Sequence, residues 1–162
     1  MYERIFRILQ RQKVDYLIAG GMAVNLYGVP RFTKDLDILV HPSKENLVRL
    51  VKALDILGFR SRVGIKLIEL AEPVNWEKWK KEKGLIAFNL FNPQKAHEEI
   101  DILMDSPVSF SEAKKRNFNL KLGSLRLHVV SIEDLIKMKK RAGRKQDLAD
   151  IEALKQVQRF KK

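Results

Sequence analysis

The chain contains no cysteine. That excludes disulfides, thiolate catalysis and cysteine-ligated zinc together. Its three histidines, His41, His97 and His128, stand far apart with no ligand spacing, so no zinc site is expected from them either. No apolar run approaches the ~20 residues that cross a bilayer. The opening Met1-Tyr2-Glu3-Arg4 leads into an amphipathic helical pattern rather than a signal peptide. A cytoplasmic protein with no membrane partner is the expectation. Internal repeats, low-complexity tracts and interdomain linkers are absent as well, so residues 1–162 are read as one domain. With 45% hydrophobic and 32% charged residues the chain is globular rather than disordered. Acidic residues are the minority, 20 Asp and Glu against 32 Lys and Arg, for a formal net charge of +12. Such a balance draws polyanions, nucleic acid first, although a solvated lysine-rich exterior would have the same composition.

What is present centres on residues 20–37. Tyr16-Leu17-Ile18-Ala19 ahead of this stretch and Ile38-Leu39-Val40 behind it read as short buried strands. Gly20-Gly21 closes the first strand and opens a short helix, Met22–Leu26, which Gly28 and Pro30 end. A glycine pair at a strand-to-helix turn lets backbone approach a ligand, and exposed amides at a helix start favour phosphate. Asp35 and Asp37, two apart at the head of a strand, project to one face. Adjacent carboxylates repel and are costly to desolvate unless a cation neutralises them, and Mg²⁺ needs only one or two carboxylates plus substrate phosphates. Arg31 and Thr33 alternate with them and share their face if the chain is already extended there.

A third acid stands out in Glu98-Glu99-Ile100-Asp101-Ile102-Leu103-Met104. Asp101 sits inside an apolar strand, where an unpaired carboxylate is expensive. Either an arginine pairs with it, or this strand lies beside the Asp35/Asp37 strand and completes a three-carboxylate cluster able to hold two Mg²⁺. Asp105, before Ser106-Pro107, reads as a turn residue.

The remaining pattern supplies the scaffold. Residues 3–12 read as a helix with Ile5, Phe6, Ile8 and Leu9 on one stripe. Lys44–Leu57 reads as a second, capped by Ser43 and ended by Gly58, with Leu47, Val48, Leu50, Val51, Leu54 and Leu57 inward. Alternation predicts a strand over Arg62–Leu70, and Trp76 and Trp79 face one side of a helix over Asn75–Lys83, as core or as base-stacking rings. Leu85–Phe91 is a strand, Ser109–Arg116 a basic helix, and Phe118–Leu122 with Leu125–Val130 a hairpin turning at Gly123-Ser124. Ser131 caps another helix, six of the nine residues over 137–145 are basic, and residues 146–160 form a last amphipathic helix.

Gly20-Gly21 followed by Arg31-x-Thr33-x-Asp35-x-Asp37 resembles the signature of the minimal nucleotidyltransferases of the DNA polymerase β superfamily, in particular their AbiEii-type toxin and stand-alone branch. The Lys139, Ala142-Gly143-Arg144 and Asp147-x-x-Asp150 stretch is similar to the C-terminal part of the same family. The resemblance covers about residues 16–40, 98–104 and 131–152. It implies an α/β (α+β) nucleotidyltransferase fold, a small mixed sheet flanked by helices, and transfer of a nucleoside monophosphate from an NTP with loss of pyrophosphate. Residue by residue, it implies catalytic and metal-binding roles for Asp35, Asp37 and Asp101 with Mg²⁺ or Mn²⁺, and nucleotide contacts from Gly20, Gly21, Arg31, Thr33, Lys139 and Arg144. Asp147 and Asp150 would shape the helix junction. The acceptor stays open among RNA (tRNA 3′ ends), a protein hydroxyl and a small molecule such as an aminoglycoside, and a cognate antitoxin is a candidate partner. Two other readings remain: a nucleic-acid-binding or toxin–antitoxin partner protein with a vestigial site, and another phosphoryl transfer on the same NTP site.

Overall fold

A computed structural model describes residues 2–161. In chain order it contains α1 (Glu3–Arg11), β1 (Tyr16–Ala19), α2 (Gly20–Leu26), β2 (Leu36–Val40), α3 (Lys44–Leu57), β3 (Arg60–Ser61), a 3₁₀ turn (Leu67–Ala71), α4 (Pro73–Lys83), β4 (Ala87–Phe91), β5 (Glu99–Leu103), α5 (Phe110–Arg116), β6 (Phe118–Leu122), β7 (Leu125–Val129), α6 (Ile132–Ala142) and α7 (Lys145–Lys161). The strands form one mixed sheet in the order β3-β4-β5-β2-β1-β7-β6. This is the mixed α/β architecture expected above.

β1 and β2, the strands that bracket the glycine–aspartate stretch, sit next to each other at the centre and run antiparallel. β5 lies parallel to β2 on its other side. A parallel pair needs a long crossover, supplied here by everything from α3 to β4. The core follows the apolar periodicity: Ile5, Phe6 and Leu9 of α1, all of β1, and Leu47, Leu50, Leu54 and Leu57 of α3 are buried. Val48, expected inward on α3, stands on its flank and is 48% exposed. Ser43 accepts the Asn46 amide at the start of α3 (3.3 Å), and Gly58 takes the left-handed conformation that ends it.

One expected strand is not formed. Over 62–70 only the preceding Arg60–Ser61 pairs, as a two-residue edge against β4, and the chain then turns into 3₁₀ helix. Gly64 adopts φ +73, and the Glu69 carboxylate accepts the Lys66 amide (2.7 Å), closing a helical turn. The alternation there is real but serves no sheet face, since Val63 and Ile68 are exposed and Leu70 is buried. Trp76 and Trp79 are core residues rather than free stacking platforms. Trp76 donates its indole N–H to the Leu70 carbonyl (2.8 Å), and Trp79 stacks on Phe88 with centroids 5.5 Å apart.

Candidate active site

Strand register gathers the acidic residues. Ala19 of β1 lies opposite Asp37 of β2, Asp37 opposite Asp101 of β5, and Asp101 opposite Asn89 of β4. In-register residues of adjacent strands project to the same face, so one transverse row carries both half-buried aspartates with the amide beside them. Asp35 occupies the bend one residue ahead of β2, near Asp101 and Glu99.

Burial and this crowding together raise the proton affinity of Asp37 and Asp35. Burial, reinforced by the charges of Asp101 and Asp35, pushes the Asp37 carboxyl up to about 7, against the opposing pull of Lys139 and Arg144. Asp35 is raised too, by burial first and then by Asp101 and Glu99. Glu99 differs. Burial works upward on it, but hydrogen bonds from Lys34 and Asn89 and the charges of Lys34 and Arg62 outweigh that and hold it below the usual range.

The glycine pair faces this row. A Cβ on Gly20 would stand 1.8 Å from Asp37 Oδ2, and Gly20 has φ +61. A Cβ on Gly21 would stand 2.6 Å from Thr33 Oγ1 and 3.1 Å from Arg31 Cζ. The two glycines are therefore the space into which Asp37, Thr33 and Arg31 fit. The loop from Arg31 to Asp35 is not a strand. Thr33 donates its hydroxyl to the Asp35 carbonyl (3.3 Å), and the Arg31 guanidinium leaves the Asp pair to bind Asp150 (2.5 Å). Asn25 accepts the Arg31 amide (3.1 Å), and Tyr2 donates its hydroxyl to the Lys34 carbonyl (2.5 Å), fixing the loop from both ends.

Across from the sheet, the α6–α7 junction forms a second charged layer. Lys139 is buried, with its ammonium 2.7 Å from Asp150 Oδ2 and 3.4 Å from Asp147 Oδ1. Arg144 binds Asp147 through its side chain (2.8 Å) and donates its backbone N–H to the same carboxylate (3.1 Å), which caps α7. Asp150 thus joins α6, α7 and the Arg31 loop. Between the layers lie two adjoining hollows that share Asp37, Leu103, Met138, Ala142 and Arg144. The smaller, about 120 Å³, reaches Gly20, Lys139 and Asp147. The larger, about 580 Å³, opens past Asp101 toward Asp105 and Arg141, which pair across its mouth at 2.6 Å.

Among the described residues no group of three His, Cys, Asp or Glu side chains stands close enough to hold a metal by itself. The donor set nevertheless suits a hard divalent cation completed by phosphate oxygens. The row offers carboxylates, and Asp35 Oδ1 is buried without a hydrogen-bond partner.

A family model described as "Nucleotidyl transferase AbiEii toxin, Type IV TA system" matches residues 6–162. The chain belongs to the AbiEii nucleotidyl transferase family. As a member it is a transferase, with nucleotidyl transfer as its activity class and a toxin–antitoxin family context. The AbiEii-family chain is also similar in structure to the lincosamide antibiotic adenylyltransferase LnuA with lincomycin bound (TM-score 0.62, 16% identity, 97% of this chain and 98% of that one covered). A second neighbour is ANT(2″)-Ia in complex with adenylyl-2″-tobramycin (TM-score 0.59, 14% identity, 96% and 89% covered). A third is an antigenic nucleotidyltransferase-like protein from Paracoccidioides brasiliensis (TM-score 0.53, 18% identity, 93% and 71% covered). At these identities the likeness concerns the fold. No curated protein matches the chain. Among the described residues no helix is long and apolar enough to cross a membrane.

Two contributors to this AbiEii-family site escaped sequence reasoning. Asn89 had a usable signal, a lone amide at the centre of an apolar strand. Tyr2 had none, because its partner lies 32 residues away.

Proposed function

We propose that the chain transfers a nucleoside monophosphate from a metal-bound NTP to a hydroxyl of an RNA acceptor. The observation that carries this is the register Asp37–Asp101, with Asp35 ahead of it and Gly20 packed against Asp37. Asp35 and Asp37, with Asp101 beside them, would hold Mg²⁺ or Mn²⁺. When bound, that cation supplies charge neutralisation to the triphosphate and lowers the pKa of a coordinated hydroxyl. Gly20 and Gly21 give the triphosphate close access to backbone. Lys139 and Arg144, at the edge of the same small hollow, supply positive charge. Arg31 and Thr33 hold the loop that presents the aspartates. The acceptor oxygen attacks the α-phosphorus in line, the bond to the bridging oxygen of pyrophosphate breaks, and the acceptor's proton passes to Asp101.

The acceptor is argued from the larger hollow and the surface charge. Its floor is apolar (Leu103, Met138, Ala142), its inner end acidic and its rim arginine-bearing. That sequence of surfaces suits a base, a ribose hydroxyl and a phosphate, and the net charge of +12 adds long-range attraction. A polycationic acceptor such as an aminoglycoside would meet Arg141 and Arg144 at the entrance. The test is incubation with each α-³²P-labelled NTP, Mg²⁺ or Mn²⁺, total RNA and the protein itself, beside the D35A/D37A variant. Label on RNA that is lost in the variant supports the reading. Label on protein redirects the acceptor, label transferred in a parallel incubation with γ-³²P-labelled NTP indicates kinase chemistry, and no transfer with no metal-dependent NTP binding refutes it.

A further inference from the structure

Asn89 has a hydrogen-bonding pattern that stability alone does not explain. It lies directly opposite Asp101 in the β4–β5 ladder. Its Nδ2 donates to Asp101 Oδ1 at 2.6 Å and reaches Glu99 Oε2 at 3.5 Å, so both of its donors are committed to carboxylates of β5. Its Oδ1 is buried with no partner. An unsatisfied buried carbonyl costs stability, and turning the amide over would set oxygen against oxygen at Asp101. The side chain is therefore held in its orientation by the carboxylates it serves. A bond of this length to a carboxylate is charge-assisted. Among the described residues the second oxygen of Asp101, Oδ2, accepts no hydrogen bond, and Asp101 lines the larger hollow.

We infer that Asn89 is a positioning residue for Asp101: its amide fixes one carboxylate oxygen so that the other alone is turned toward the acceptor hydroxyl. The inference rests on the nucleotidyl-transfer reading above. Near-attack geometry is sensitive to displacements of about 1 Å, and among the described residues Asn89 is the one hydrogen-bond partner that stops the Asp101 carboxylate rotating. The role also fits the absence, among the described residues, of a three-residue metal cage. With one oxygen occupied, Asp101 offers a single contact to hydroxyl or metal.

Two variants separate positioning from packing. Asn89→Asp keeps the shape of the side chain but replaces the donor with a third acid beside Asp101 and Glu99, whereas Asn89→Ala removes bulk and donor together. Positioning predicts the order wild type, then Ala, then Asp in kcat. N89A should fall about tenfold, as for loss of a hydrogen bond to a charged group, N89D should fall further, and KM for the NTP should stay within about twofold. A space-filling role predicts the reverse order, with the isosteric Asp milder than Ala, and that result overturns the inference. A readout free of catalysis is the unfolding double-mutant cycle of N89A with D101A, where coupling of about tenfold in the unfolding constant is expected. Additive effects there also overturn it. A wild-type protein that transfers nothing to any acceptor refutes the nucleotidyl-transfer reading, while the cycle still decides whether Asn89 holds Asp101.

Discussion

Gly20→Ala probes the closest approach in the site. The added methyl would stand 1.8 Å from Asp37 Oδ2, 2.6 Å from Cγ and 2.9 Å from Cβ, all inside contact distance, on a backbone with φ +61. The left-handed conformation costs an L-residue ~1–2 kcal/mol, and relieving an overpacked contact costs a further ~1–3 kcal/mol. A loss of about 2–5 kcal/mol is expected, a large part of the ~5–15 kcal/mol that holds a domain folded. Urea unfolding followed by tryptophan fluorescence measures it, since Trp76 and Trp79 are both buried in the core. The cause is separable. In a D37A background the Oδ2 and Cγ overlaps vanish and only the Cβ contact and the backbone strain remain, so G20A should cost less there, with the ~1–2 kcal/mol of backbone strain as the floor. Equal costs of G20A in wild-type and D37A backgrounds would show that the methyl does not collide with the carboxylate, and the packing of glycine against aspartate would be wrong.

Four other outcomes follow from the same geometry. Folded Asp37 takes up its proton near pH 7, whereas the unfolded chain does so near the ordinary carboxylate value, so the folded state holds the extra proton in between. Metal-free wild type should therefore gain stability relative to D37N as pH falls from about 7 toward 5; parallel stability–pH curves for the two proteins would contradict this. Asp150→Ala leaves buried Lys139 with only the longer contact to Asp147 and releases Arg31, and should cost about 3 kcal/mol in the same unfolding assay; a loss below about 1 kcal/mol would show that the junction does not depend on it. Arg141→Glu should raise KM for RNA about tenfold and leave KM for NTP unchanged, so a shift in NTP binding instead would assign Arg141 to the nucleotide. Calorimetric NTP binding should appear with Mg²⁺ and vanish in EDTA, and equal affinity in both would remove the metal from the binding step.

Much of this could be read from residues alone because it rests on local rules. Ser43, Ser131 and Gly58 after α3 mark helix ends through their own hydrogen bonds and φ angles, and the structure follows them. The adjacency of Asp101 to Asp37 was conditional on strand order, which no local pattern carries, and β-sheet pairing decided it. The segment over 62–70 misled because alternation signals a strand only where a sheet face needs covering, and here Gly64 and the Glu69–Lys66 cap turned the chain first. Arg31 was expected beside the Asp pair on the assumption of an extended loop. The loop instead sends its guanidinium to Asp150, 119 residues away, a partner that spacing cannot name.

The placement of Lys139 bears on how a triphosphate is accommodated. An ammonium has three donors, and Asp150 and Asp147 take two of them. One remains for the small hollow that Lys139 lines with Gly20 and Asp37. Counted over the junction, Lys139, Arg144 and Arg31 oppose Asp147 and Asp150, so three cations meet two carboxylates and little positive charge is left over. Facing them are Asp35, Asp37 and Asp101, all acidic. A bare triphosphate entering between these layers would be repelled by the sheet and only weakly drawn to the helices. On the proposed reading, a divalent cation entering with the nucleotide would cut the sheet side from three negative charges to one, leaving Lys139 and Arg144 to meet the far phosphates. Burial leads the rise in the proton affinity of Asp37, and the neighbouring carboxylates of Asp101 and Asp35 add to it.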